Sequence, residues 1–240
     1  NPNRLKELIS NLYNGDFLLI KNAISPKFIA NLKSELINIS DTEKSSFHKI
    51  LNNCPNFHRI QDEDTLGKYS IDAIRHSYYF FRWNRDKLKI FDTIDSYWGL
   101  IKYLGGLRED QYVNNLPKDG VVDRVQIVRY PNHSGYISKH QHDPKNQRLI
   151  ISIYMSQKNT DYKDGGTYAI NSNNKKINLE DSIAIGDIGI FYATLIHGVD
   201  KVTLDQNFHD NSKNISGRWW LGPYCPESDY AKIRTTSKQL

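Results

Sequence analysis

Residues 135–154 read GYISKHQHDPKNQRLIISIY, and their reading decides the fold. Gly135–His140 and Leu149–Met155 are short runs rich in Ile and Tyr, parted by a polar stretch that holds Asp143-Pro144. Proline cannot continue a central ladder, so the pattern is strand, turn, strand. The same texture extends to both sides. Val121–Tyr130 precedes it, and Gly166–Ile170, Ser182–Ile185, Ile188–Tyr192, Gly198–Val202 and Arg218–Leu221 follow. Pro131-Asn132, Asp164-Gly165-Gly166, Asn173-Asn174 and Gly186-Asp187 punctuate these segments. About eight short strands at such spacing predict a β-sandwich or barrel.

The N-terminal half is different. Leu5, Leu8, Ile9 and Leu12 lie at helical spacing, and Asp16–Ile20 is a short apolar strand. Ser25-Pro26 opens a helix whose stripe is Phe28, Ile29, Leu32, Leu36 and Ile37, with Ser as cap and Pro in the first turn. Asp86–Leu104 is a second amphipathic helix (Leu88, Phe91, Ile94, Tyr97, Trp98, Ile101), closed by Gly105-Gly106. Asp41–Lys68 lacks a period and reads as an irregular excursion suited to a lid. The expected organisation is one domain over 1–240: a helical buttress and lid in 1–120, a β core in 121–226, and a polar, loose tail in 227–240.

Composition narrows the function classes. With 38% hydrophobic and 12% aromatic residues, the 240-residue chain is neither disordered nor low-complexity. No apolar run approaches the ~18 residues of a membrane span. Cys54 and Cys225 are too few for a disulfide framework, and the first residues lack a secretory pattern, so a reducing cytoplasm is the expected compartment. The net charge of +5 comes from scattered lysines without a long basic cluster. Nucleic acid is therefore not an expected partner, whereas a mouth that favours an acidic small molecule is compatible. Oligomeric state is not legible.

Three histidines in the strand-rich half carry the chemistry: His140, His142 and the distant His197. Alternation along a strand points residues i and i+2 to one face, so His140 and His142 agree in direction. Asp143 joins them only if the strand ends or bulges there, which Pro144 favours. Two ligands on one strand and a third on another suit a facial metal site with open positions, as in non-haem Fe(II) oxygen chemistry. A His-x-His-Asp run in a solvated loop is the plain alternative.

The surroundings favour the metal. Arg129-Tyr130-Pro131, Gly135–His140, Asp143-Pro144, Arg148–Tyr154, Asp164–Thr167, Gly186-Asp187 with Phe191, His197-Gly198-Val199 and Gly217-Arg218-Trp219 stand in a telling order. In this order the sequence resembles the iron(II)- and 2-oxoglutarate-dependent dioxygenases, in their prolyl-hydroxylase-like branch. The match covers roughly Val121–Tyr224 well, and Gly15–Lys21 with the Ser-Pro helix resembles the usual entry to that fold. The resemblance implies a mainly β, α+β protein: a double-stranded β-helix (jelly-roll, cupin-like) core with N-terminal buttressing helices. It implies His140 and His197 as iron ligands and Arg218 as the clasp for the distal carboxylate of 2-oxoglutarate, a task suited to a planar, always-charged fork. Tyr130 and Thr167 follow as cosubstrate contacts, and Tyr154 more weakly. Implied cofactors are Fe(II), 2-oxoglutarate and O2, with ascorbate compatible as a reductant. The implied reaction is hydroxylation of an unactivated C–H of a small molecule or amino-acid-type substrate, releasing succinate and CO2.

Two departures from the family pattern stand out. The motif His-x-Asp here reads His140-Gln141-His142-Asp143. Alignment from the glycine side places His142 at the carboxylate position, and alignment from Asp-Pro places Asp143 there. Asp143 is preferred because Arg218 argues for bound cosubstrate; with His142 the site has three neutral ligands and resembles dioxygenases that use no 2-oxoglutarate. The His197-to-Arg218 interval is also long, and its polar Thr203–Ser216 reads as an inserted hairpin tip. Elsewhere Tyr78–Asn84 (YYFFRWN) is a packing strand or a pocket wall, where Arg82 or Arg75 meets an anion. His48, His58 and His76 are not expected as ligands. A catalytically silent jelly-roll binding module is the competing function.

Overall fold

The computed structural model describes residues 2–204, 216–232, 234 and 237–240. Helix α1 (Pro2–Tyr13) leads through strand β1 (Leu18–Ile20) to α2 (Pro26–Thr42). Strands β2 (Phe57–Gln61) and β3 (Ala73–Phe81) then precede α3 (Ile90–Leu104). The second half is β4 (Arg124–Tyr130), β5 (Tyr136–His142), β6 (Leu149–Tyr154), β7 (Asp164–Ile170) and β8 (Lys176–Asn178). It continues with β9 (Ile188–Tyr192), β10 (His197–Thr203), β11 (Arg218–Tyr224) and β12 (Ser237–Gln239).

These strands form one antiparallel sheet, curled into two facing halves. The major half runs β1-β9-β6-β11-β4-β3, with β2 added on β3. The minor half is β5-β10-β7-β8, with β12 on β5. Ala73 and Ile74 at the start of β3 pair with Ile137 and Tyr136 of β5, which joins the halves. This is the double-stranded β-helix expected from the resemblance.

Alternation divides the major half into two faces. Tyr78, Phe80, Val125, Ile127, Ile151, Ile153, Ile188, Ile190, Trp219 and Leu221 point outward and pack in one buried cluster with Ile29, Leu32 and Leu36 of α2 and Ile90, Ile94, Trp98 and Ile101 of α3. The helices are thus the buttress, and they hold the sheet by burying one apolar stripe each. Lys102 and Trp98 of α3 both reach the buried Asp123 carboxylate just before β4, at 2.5 and 2.9 Å. The residues of opposite parity on β2, β3, β4, β6 and β11 face the hollow between the halves.

Local differences from the sequence reading have physical causes. Helix α3 begins at Ile90 rather than Asp86, because the Asp86 carboxylate accepts the N–H groups of Ile90 and Phe91 and caps the helix from outside. Ser182–Ile185 is not a strand: Glu180–Ser182 forms a 3-10 turn, and Lys176–Asn178 takes the edge next to β7 instead. The excursion Asp41–Lys68 contains β2. The described residues of the tail make defined contacts. Ser228 donates to the Pro117 carbonyl at 2.7 Å, and β12 pairs with β5. Of the expected hairpin tip Thr203–Ser216, residues 205–215 lie outside the described residues. Among the described residues no helix is long and apolar enough to cross a membrane.

Candidate metal centre and adjoining cavity

His140 and His197 are direct cross-strand partners of β5 and β10. Side chains opposite each other on one face are the closest pairs a sheet offers, and these rings stand 4.3 Å apart between centroids. Next to His197, Gly198 sits where a Cβ would meet the Tyr168 hydroxyl at 2.6 Å and the Ile137 carbonyl at 3.0 Å. Strand β5 continues through His142, so period-two alternation keeps that ring on the same face, 5.1 Å from each of the other two. One ring nitrogen from each histidine can be chosen so that all three lie within 4.8 Å of one another.

The hydrogen bonds say which nitrogens these are. His140 Nδ1 and His197 Nδ1 each lie 2.8 Å from a backbone carbonyl, of Ser138 and Leu195 respectively. A carbonyl only accepts, so each Nδ1 carries the proton and each Nε2 keeps its lone pair. His142 Nδ1 pairs with the Ser237 hydroxyl of β12 at 2.7 Å, and its Nε2 is buried without a hydrogen-bond partner. Burial keeps all three rings neutral. It pushes His197 down to about 4, against the Leu195 bond that opposes it. It holds His140 and His142 well below the usual histidine range, with the neighbouring imidazoles adding to the effect. Three imidazoles whose burial disfavours charge, each able to bring one nitrogen within 4.8 Å of the others and each with Nδ1 held by a hydrogen bond, fit a first-row divalent metal and the outer anchoring such ligands use.

Asp143 lies outside this group. It is exposed beyond the end of β5, and its carboxylate accepts the Lys145 N–H at 2.9 Å, closing the Asp-Pro turn. The backbone therefore obeys strand parity and brings His142, not Asp143, to the other two histidines.

Across the hollow, Arg218 is buried at 1% exposure with Glu180 at 2%. Its Nε donates to Glu180 Oε1 at 2.7 Å, its Nη2 bonds the Thr167 hydroxyl, and its buried Nη1 has no hydrogen-bond partner. Glu180 also accepts the Thr167 N–H at 2.6 Å and the Tyr162 hydroxyl at 2.5 Å. Burial opposes the charge on Arg218, but Glu180 outweighs it and holds the guanidinium protonated. Tyr130, directly opposite Arg218 on β4, and Tyr154 have rings 5.5 and 5.6 Å from the guanidinium carbon. A cavity of about 990 Å³ runs between the halves and is lined by the three histidines, Tyr130, Thr167 and Arg218. The sequence reading missed Glu180 and Ser237. Neither had a signal: one sits in a polar Leu-Glu-Asp-Ser turn, the other in a tail.

No protein-family model and no curated protein matches the sequence. Comparison of structures does find relatives in shape. A prolyl-4-hydroxylase from Pseudomonas putida superposes with a TM-score of 0.56 at 10% identity, covering 92% of this chain and 98% of the hydroxylase. The non-haem alpha-ketoglutarate-dependent epimerase SnoN of nogalamycin biosynthesis gives 0.58 at 10% identity, covering 95% and 86%. A full-length Neurospora crassa protein in complex with alpha-ketoglutarate gives 0.57 at 12% identity, covering 93% and 79%. At such identities the likeness is one of fold alone, the double-stranded β-helix.

Proposed function

We propose that the chain is a non-haem Fe(II)- and 2-oxoglutarate-dependent oxygenase whose iron rests on Nε2 of His140, His142 and His197. The single observation that carries this is the orphaned, buried Nε2 of His142 beside two imidazoles whose Nδ1 protons are fixed on carbonyls. Bound iron would supply O2 activation coupled to decarboxylation of 2-oxoglutarate, one oxygen atom entering a substrate C–H and the other succinate, with CO2 released. The protein's own part is positional. Ser138, Leu195 and Ser237 hold the imidazoles in place. Arg218 Nη1 is the free donor for a distal carboxylate, with Thr167 and Glu180 holding the fork and Tyr130 beside it. Ile150 and Phe191 wall the metal side against water.

A second reading has its own support. Glu180 already neutralises Arg218, and three neutral ligands leave a metal with its full charge, which suits dioxygenation without 2-oxoglutarate. Anaerobic addition of Fe(II) and then 2-oxoglutarate separates the readings: a visible charge-transfer band that needs both, and disappears in Arg218→Ala, supports the first. Iron binding with no response to 2-oxoglutarate supports the second. Absence of iron binding sinks both in favour of a silent binding module. For the ligand set, His142→Ala is expected to abolish Fe(II) binding and Asp143→Ala to leave it intact; the reverse result overturns the three-histidine assignment.

A further inference from the structure

We propose that the substrate carries a phosphoryl group, held by Arg59, Arg75 and Arg124 on the major-half wall of the same cavity. This rests on reading that cavity as the reaction site. The register places Arg59 opposite Ser77, Gln61 opposite Arg75 and Tyr79 opposite Gln126, so by alternation all three arginines share the inner face of β2, β3 and β4. All three line the cavity that holds the histidines.

Their partners are neutral. Gln61 Oε1 accepts from Arg75 Nε at 2.8 Å and from Arg59 Nη2 at 3.4 Å, which draws those two guanidiniums together. Arg59 Nη2 also donates to the Tyr79 hydroxyl at 2.9 Å. Both terminal nitrogens of Arg124 reach Gln126 Oε1, at 3.2 and 3.3 Å. The buried Nε atoms of Arg59 and Arg124 have no hydrogen-bond partner. Among the described residues no carboxylate forms an ion pair with any of the three, whereas Arg82, Arg108, Arg218 and Arg234 each have at least one.

Two of the guanidiniums also meet aromatic rings. Arg59 lies 4.4 Å from the Tyr69 ring centre, and Arg124 lies 5.0 Å from that of Tyr79. Such cation–ring contacts restrain long side chains that line the hollow. Three like charges in a half-buried wall repel one another unless an anion joins them. Their field is felt by Tyr79: burial would raise its hydroxyl, but Arg59, Arg75 and Arg124 together pull it below the ordinary phenol range. A single carboxylate matches one fork, as at Arg218. Three forks around one space match a group with three acceptor oxygens and a charge near −2, which is a phosphate monoester. Arg75 follows directly on Ala73 and Ile74, which pair with β5, so of the three it lies closest along the sheet to the histidine strand, and the rest of the substrate extends from the arginines toward the histidines.

The test is calorimetric titration of the full, metal-free chain with phenyl phosphate and inorganic phosphate, and with benzoate and succinate as carboxylate probes. Phenyl phosphate is expected to bind at least tenfold more tightly than benzoate, and to lose at least tenfold in Arg59→Gln and in Arg124→Gln. Arg59→Lys, which keeps the charge but not the fork, is expected to fall between, and it reads the site if a Gln variant does not fold. Equal affinity for benzoate and phenyl phosphate, or wild-type affinity in the Gln variants, overturns the assignment. Fe(II) binding measured on the same proteins keeps the two claims apart. Its retention in the arginine variants is expected, and its absence from the wild type would defeat the oxygenase reading while leaving phosphate binding to stand or fall alone.

Discussion

Replacing Glu180 by Gln removes one charge from a fully buried network and almost nothing else. The carboxylate accepts from Arg218 Nε, the Thr167 N–H and the Tyr162 hydroxyl, and both charged partners are within 2% of full burial. Breaking a buried ion pair from one side costs about 3–5 kcal/mol, because the remaining charge stays in a poor solvent. For a chain of this size each kcal/mol moves the melting temperature by about 2–4 °C, so Glu180→Gln is expected to melt roughly 6–20 °C below wild type. Differential scanning calorimetry at neutral pH reads this directly. The network also makes a signed prediction about ligand. In the wild type a distal carboxylate arriving at Arg218 meets a guanidinium that Glu180 has already neutralised; in the variant it replaces the missing charge. Added 2-oxoglutarate should therefore raise the melting temperature of Glu180→Gln more than that of wild type. A loss below about 2 °C would refute the claim that Arg218 depends on Glu180. An equal ligand response in both proteins would refute the claim that Arg218 meets 2-oxoglutarate.

Two further outcomes follow from the same geometry. Ser237→Ala deletes the anchor of His142 Nδ1 and is expected to weaken Co(II) binding roughly tenfold, the range typical of outer anchors, with the fold intact by circular dichroism; unchanged affinity would show that the serine merely lies nearby. His76, on β3, is pushed down to about 3, first by burial and then by His58 and Arg129. Its folded value lies below its ordinary 6.5, so the neutral ring's stabilisation is complete above pH 6.5 and is lost as pH falls toward 3. Between pH 6.5 and 5 this amounts to about 1–2 kcal/mol. Urea titrations of wild type and His76→Phe at pH 7, 6 and 5 should show a shallower loss in the variant, and parallel losses would sink the assignment to His76.

How much of this is legible in the sequence depends on whether a residue's role is set locally. The strands of 121–226 are short, β-branched and bounded by turn residues, and they announce themselves. His140 and His142 are readable from strand parity alone, and the structure follows that parity. The preference for Asp143 rests on Arg218, a long-range argument, whereas the local backbone carries β5 through His142 and places Asp143 in the turn that follows. Strand β2 is hidden because its inward residues, Arg59 and Gln61, are polar: a strand that faces a wet cavity on one side loses the alternation by which strands are recognised. Glu180 and Ser237 act only through partners far away in sequence, Arg218 and His142. A short polar turn and a polar tail carry no periodic trace of such pairing.

Strand β12 ties the three-histidine group to a weakly held edge of the sheet. His140 and His197 lean on carbonyls of their own neighbourhoods, but His142 leans on β12, an edge strand of three residues from the far end of the chain. Short edge strands, held by few bonds, open locally more readily than the core. Opening of β12 would leave the buried core and both helical stripes untouched, yet it would free the His142 ring to turn. The fold thus separates durability from competence: under the proposed ligand set, a molecule that has lost this edge stays folded while its grip on metal loosens.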